Sequence, residues 1–274
     1  MAIRIHLKKI YSENLLIALL LMIGMATGWL SCQPTHKKPF SYKLRLNMTE
    51  KLVDTTRSLC IHFKSDDFKE KAGFILKNKV TIDSIDQTIH IHLMTQPSTP
   101  PSKAPLETVA ALDNLKTGAY KIVVHFKDQM LPGILRINDR CYIIRLADNP
   151  FIWVNKDTLN KIPIKAIFGT VDYYSQETEP LIDDFIADLK DLGAKEHLYI
   201  PGNYHFFSIN ADGQIAQPSD KGYAYTKHFI FQYNGNKSAL KALIKNFAFA
   251  HTTELVVNLR TYDGALYNIW SFGN

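Results

Sequence analysis

Cysteine is scarce in this chain, with 3 in 274 residues. No CxxC pairs them and none has an obvious activating neighbour, so no redox motif or cysteine nucleophile is recognisable. A G-x-S-x-G elbow, an H-E-x-x-H helix, a Walker loop and a dinucleotide fingerprint are all missing, which removes the local signatures of hydrolysis and nucleotide binding. Dense basic blocks are missing too. Positive residues are interleaved with acids, as in "KSDDFKEK" (64–71), and the formal charge is only +6. Such a pattern does not make a nucleic-acid groove. No cofactor is implied.

What is present begins with one apolar run. Arg4, Lys8 and Lys9 precede an uncharged stretch from Asn14 to Gln33, "NLLIALLLMIGMATGWLSCQ". Basic residues followed by a short apolar segment have the form of a secretory leader. Its strongly apolar part, Leu15 to Met25, is shorter than the roughly 20 residues a membrane-crossing helix needs. Leu30, Ser31 and Cys32 close the run, and this ending resembles a bacterial lipoprotein signal. The resemblance covers residues 1–32 alone. It implies cleavage before Cys32, lipidation of that cysteine, and a mature protein held at the membrane in the cell envelope, on the periplasmic side of an outer membrane. An uncleaved single-span anchor and ordinary secretion are the alternatives. Residues 32–39, "CQPTHKKP", are polar and proline-bearing and suit a tether. Without residues 1–31 the formal charge falls to +4.

The remainder suffices for two small domains. Residues 40–158 carry short runs rich in β-formers, including "SLCIHF", "TIHIHLM", "AYKIVVHF" and "CYIIRL", several of them alternating apolar with polar. An immunoglobulin-like β-sandwich is the expected arrangement. The turn-rich "TQPSTPPSKAP" (95–105) reads as a surface loop, and 66–77 admits a helical turn. Residues 159–274 alternate strands with two amphipathic helices, "ETEPLIDDFIADLKDLGA" and "NKSALKALIKNFAF". Their apolar residues recur every three or four positions. "EHLYI", "NYHFFSI" and "KHFIFQY" read as further strands, "NADG" as a turn, and "TYDG" as the bend of a closing hairpin. The expectation is a ferredoxin-like α+β domain with additional strands.

Several residue groups are candidates for chemistry. His90 and His92, two apart on one strand, project from the same face as two metal ligands do, with Asp83, Asp86 or His62 as the third. The same alternation also describes a strand that buries Ile89, Ile91 and Leu93 and simply wets its histidines, and no metal is assigned. Cys60 and Cys141 are a disulfide candidate if their strands are adjacent. Asp183 and Asp184 are adjacent on a helix and make a poor acid/base pair. Aromatics crowd the second half. Tyr204, Phe206, Tyr223, Tyr225 and Trp270 are the candidate binding surface, for a protein, a glycan or the first domain. The loop "QPSDKGYAYTK" (217–227) lies beside them. The expected role is a non-catalytic, lipid-anchored envelope protein. Its rival is an envelope hydrolase whose site gathers distant residues around His205, His228 or His251.

Overall fold

In the computed structural model the described residues are 43–53, 56–65, 73–99, 105–216 and 222–268. Residues 1–42 therefore lie outside them, with the leader, Cys32 and the tether; so does Trp270. Among the described residues no helix is long and apolar enough to cross a membrane.

Among the described residues the chain is mostly β, built from several sheets, with two α-helices. Its first ten strands are β1 (Leu44–Val53), β2 (Thr56–Ser65), β3 (Phe74–Asp83), β4 (Thr88–Pro97), β5 (Glu107–Asp113), β6 (Gly118–Phe126), β7 (Gln129–Ile137), β8 (Cys141–Leu146), β9 (Ile152–Val154) and β10 (Thr158–Asn160). They form a four-stranded sheet, β5-β2-β1-β9, and a six-stranded sheet, β10-β8-β7-β6-β4-β3. Period-two alternation positions their side chains. On β2 it buries Leu59, Ile61 and Phe63; on β4, Ile89, Ile91 and Leu93; on β6, Ile122, Val124 and Phe126. The helical turn that 66–77 admits does not extend to Phe74–Lys77, which is strand; 66–72 lie outside the described residues. β4 and β6 pair in parallel because β5, the strand between them in sequence, belongs to the other sheet.

The second half holds β11 (Ala166–Tyr173), α1 (Glu179–Asp191), β12 (Ala194–Lys195), β13 (Gly202–Asn203), β14 (Ser208–Ile209), β15 (Ile215–Ala216), β16 (Tyr225–Tyr233), α2 (Lys237–Ala250), β17 (Leu255–Thr261) and β18 (Leu266–Tyr267). A five-stranded sheet runs β12-β16-β11-β17-β18, and β13-β14-β15 make a small one. α1 starts at a proline in its first turn and ends before Gly193, whose φ of +103° lets the chain reverse. Asn236 caps α2 by accepting from the Ser238 N–H. Ile182, Phe185 and Leu189 of α1 and Leu240 and Ile244 of α2 share one core with Val171, Phe229 and Val257 of the sheet.

On the other side, Ala166 and Phe168 enter a second core with Tyr204, Phe207 and Ile209. That core explains two departures from the expected strands. Residues 196–200 are irregular, and 203–209 hold only two-residue strands. Tyr204 and Phe207 both turn inward, joined by a 2.8 Å bond from the Tyr204 N–H to the Phe207 carbonyl, so the segment folds back and does not extend. "NADG" is the bend between β14 and β15, with Gly213 at φ +84°.

Leu52 of β1 belongs to this second core, and the described residues fall within one compact unit.

Candidate functional site

The residues that gather most chemistry lie where the two halves meet. Alternation along β1 buries Leu44, Leu46, Met48 and Leu52, and the same parity buries Glu50. A carboxylate taken from water needs partners. Its Oε1 accepts from Arg57 Nη1 at 2.7 Å and from the Tyr142 hydroxyl at 3.1 Å, and its Oε2 accepts from the Ile162 N–H at 3.0 Å. Arg57 also donates through Nη2 to the Ile162 carbonyl at 2.6 Å. The Glu50 carbonyl accepts from His205 Nδ1. A carbonyl cannot donate, so that ring carries its proton on Nδ1. One acid thus ties together β1, β2, β8, the connection into β11 and the 204–207 turn.

A cleft of about 640 Å³ opens beside this anchor. Arg57, Arg140 and Lys161 bring positive charge to its wall, and Asp139 is the acid among the lining residues. Arg57 is committed to Glu50, whereas Arg140 and Lys161 form no ion pair among the described residues. Lys161 lies over the Tyr142 ring at 4.9 Å. Its pKa is lowered, first by burial and then by the Arg57 charge. Tyr199 and Tyr204 supply rings. The Tyr204 hydroxyl donates to the Ile200 carbonyl at 2.9 Å. The Tyr199 hydroxyl is buried with no hydrogen-bond partner among the described residues. Burial, with Tyr204 beside it, pushes its pKa up to about 12, so the phenol stays protonated and able to donate. Ile164, Leu198 and Ile200 line the same cleft with 52%, 95% and 44% of their surface exposed.

Of the aromatic candidates among the described residues, Tyr204 alone lines this cleft. Phe206 stacks on His205, and the Arg260 guanidinium lies 4.7 Å from its ring centre. Tyr223 packs on Tyr174, and Tyr225, part-exposed, packs on Tyr173. Trp270 is outside the described residues. The segment that carries Tyr204 and Phe206 folds over the helix-free face of the sheet, which alternation does not reveal.

His205, His228 and His251 lie in separate surroundings. His251 bonds Glu254 at the end of α2. His228 lies directly across the β11–β16 pair from Thr170. Near it is the buried Asp172, whose oxygens accept from Thr170, Thr226 and Asn258. Burial lowers the pKa of His228, and Asp172 partly offsets this. Asp183 pairs with Lys227 on the surface.

Cys60 and Cys141 carry free thiols, Cys60 buried in the four-stranded sheet and Cys141 half-buried at the start of β8. Burial raises the Cys60 pKa, which keeps it a thiol.

His90 and His92 share one face of β4. The side chain that joins them is His125 of β6, which faces His92 directly in register. His62 instead bonds Thr49 at 2.7 Å, and Asp83 Oδ1 accepts from the N–H groups of Ile85 and Asp86.

No protein-family model matches the chain, and no curated protein or solved structure matches it at significant similarity.

Proposed function

We propose that this is a non-catalytic, lipid-anchored protein of the cell envelope that holds an acidic, aliphatic segment of another envelope protein in the Arg140–Lys161–Tyr199 cleft. The observation that carries this reading is the combination in one cleft of two cations without ion-pair partners, a buried phenol without a hydrogen-bond partner, and three exposed aliphatic residues. A buried polar group left without a partner costs about 1–3 kcal/mol, which an accepting carboxylate or carbonyl of the ligand would recover. Exposed Leu198, Ile164 and Ile200 suit the apolar side chains of such a segment better than a sugar. The leader ending in Leu30-Ser31-Cys32 supports the anchor, with the lipid as the membrane contact.

The fold reading belongs to the same proposal. We read the first two sheets as an immunoglobulin-like sandwich over residues 40–158. The order β12-β16-β11-β17, with both helices packed on one face, supports a ferredoxin-like domain with extra strands over 159–274.

A photo-activatable residue at position 198, irradiated in intact cells, tests the reading. The expected product is a discrete protein conjugate whose linked peptide is acidic and aliphatic by mass spectrometry. It should vanish when Arg140→Glu and Lys161→Glu are introduced. A glycan conjugate, or a product indifferent to charge reversal, would overturn the choice of ligand.

A further inference from the structure

The outer face of the six-stranded sheet carries a group of side chains that the cleft does not use. β4 presents His90 and His92, and β6 presents His125. The ring centres are 6.3 Å apart for His90–His92, 5.3 Å for His90–His125 and 4.1 Å for His92–His125. His90 Nδ1 and His125 Nε2 are 3.0 Å apart. Nothing in core packing requires this, since the opposite parity of both strands supplies the buried residues.

We propose that His90, His92 and His125 form a binding site for a late first-row divalent metal ion of the zinc and copper class. Imidazole nitrogen suits these ions, whereas calcium and magnesium require oxygen ligands. Two nitrogens on a tetrahedral ion at bond lengths near 2.0–2.1 Å are about 3.3 Å apart. The His90–His125 pair therefore has to open by only a few tenths of an ångström. Both nitrogens must present lone pairs, so the ring that now donates in this contact moves its proton to its other nitrogen.

The third ligand needs a rotation. As placed, no three His, Cys, Asp or Glu groups among the described residues converge on one point. The His92 ring lies nearly parallel to that of His125, with 9° between their planes, and stacked rings do not aim at a common ion. The His92 ring is only half-buried, and the final torsion of a histidine is broad. Turning it brings in a third nitrogen.

Ligation requires neutral rings. Lys79 faces His92 across β3 and β4, Lys127 lines the adjoining groove, and Asp128 is the carboxylate there.

The test is metal competition against a chromogenic chelator, using the full chain in detergent with Cys32→Ser to remove that thiol. Zn²⁺ and Cu²⁺ should each bind as a single ion per chain, and Ca²⁺ should not compete. His90→Gln and His125→Gln should each weaken binding by more than the roughly tenfold that losing an outer-shell partner costs. His251→Gln should leave it unchanged. The Cu²⁺ paramagnetic resonance spectrum should lose one nitrogen coupling in each cluster variant, a readout that a folding defect does not imitate. Affinity unchanged in the cluster variants, or equally reduced by His251→Gln, would overturn the proposal and show only scattered surface binding.

Discussion

Glu50 and Arg57 meet at 2.7 Å across the β1–β2 hairpin, the carboxylate side chain wholly withdrawn from solvent and the arginine side chain 21% exposed at the cleft wall. Breaking a buried pair by removing one partner is far more costly than the pair is stabilising, because the survivor is left uncompensated. Arg57→Ala should therefore lower unfolding free energy by about 3–5 kcal/mol. Tyr142→Phe, which removes one bond to the same carboxylate, should cost about 1.5–3 kcal/mol. Urea denaturation reads both. A loss below about 1 kcal/mol for Arg57→Ala would match an exposed pair and contradict this account.

Much of the fold is legible in the sequence at the level of elements. The spacing of Ile182, Phe185 and Leu189 marks α1, and alternation marks most of the long strands. Glu50 was also legible, though easily passed over, because an acid at the buried parity of "LRLNMTEKLV" signals a paired charge. His125 was not. Its meeting with His92 depends on β5 leaving for the other sheet, and no local pattern encodes which strands become neighbours. The composition of "EHLYI" favours a strand, yet Leu198 and Tyr199 lie in irregular chain. Period two says which way a side chain points only while the chain stays extended.

Acid should destabilise the protein through its histidines. Burial lowers the pKa values of His62, His125, His205 and His228 from the ordinary value near 6.5. The unfolded chain then takes up protons at a higher pH than the folded one. This contribution is fully present above pH 6.5 and is lost progressively as pH falls through 6.5 toward the depressed folded values. His205 faces Glu50, His62 and Arg260. Thermal melts should show Tm level above about pH 7 and falling between about pH 6.5 and 5, with a shallower fall in His205→Asn. A Tm that rises over that interval would contradict the assignment.

Gly169 marks a close approach at the centre of the five-stranded sheet. A Cβ there would meet the Asn258 carbonyl oxygen at 2.0 Å and the Phe229 ring at 2.9 Å. Neither the backbone of β17 nor a core phenylalanine can yield cheaply, so Gly169→Ala should cost more than the typical overpacking penalty of about 1–3 kcal/mol. Gly193→Ala, where nothing lies within 4 Å, should be limited to the cost of its positive φ. Equal melting temperatures for the two variants would count against this packing.

The anchor has its own experiment. Metabolic labelling with a palmitate analogue and intact-mass analysis should show a labelled chain lacking residues 1–31, and neither feature in Cys32→Ser. An unlabelled chain retaining Met1 would favour a membrane span, and an unlabelled shortened chain ordinary secretion.

The central claim is that the cleft recognises acid and aliphatic groups together. Its most direct measurement is equilibrium binding of short peptides of one length to the full chain in detergent, with Asp/Glu and Leu/Ile content varied independently. Affinity should rise with both and weaken as salt is added. Arg140→Ala and Lys161→Ala should each weaken it by the equivalent of about 1.5–3 kcal/mol, the value of a hydrogen bond to a charged group. Acidic peptides without aliphatic residues binding as well as those with them, or affinities indifferent to both substitutions, would contradict the account.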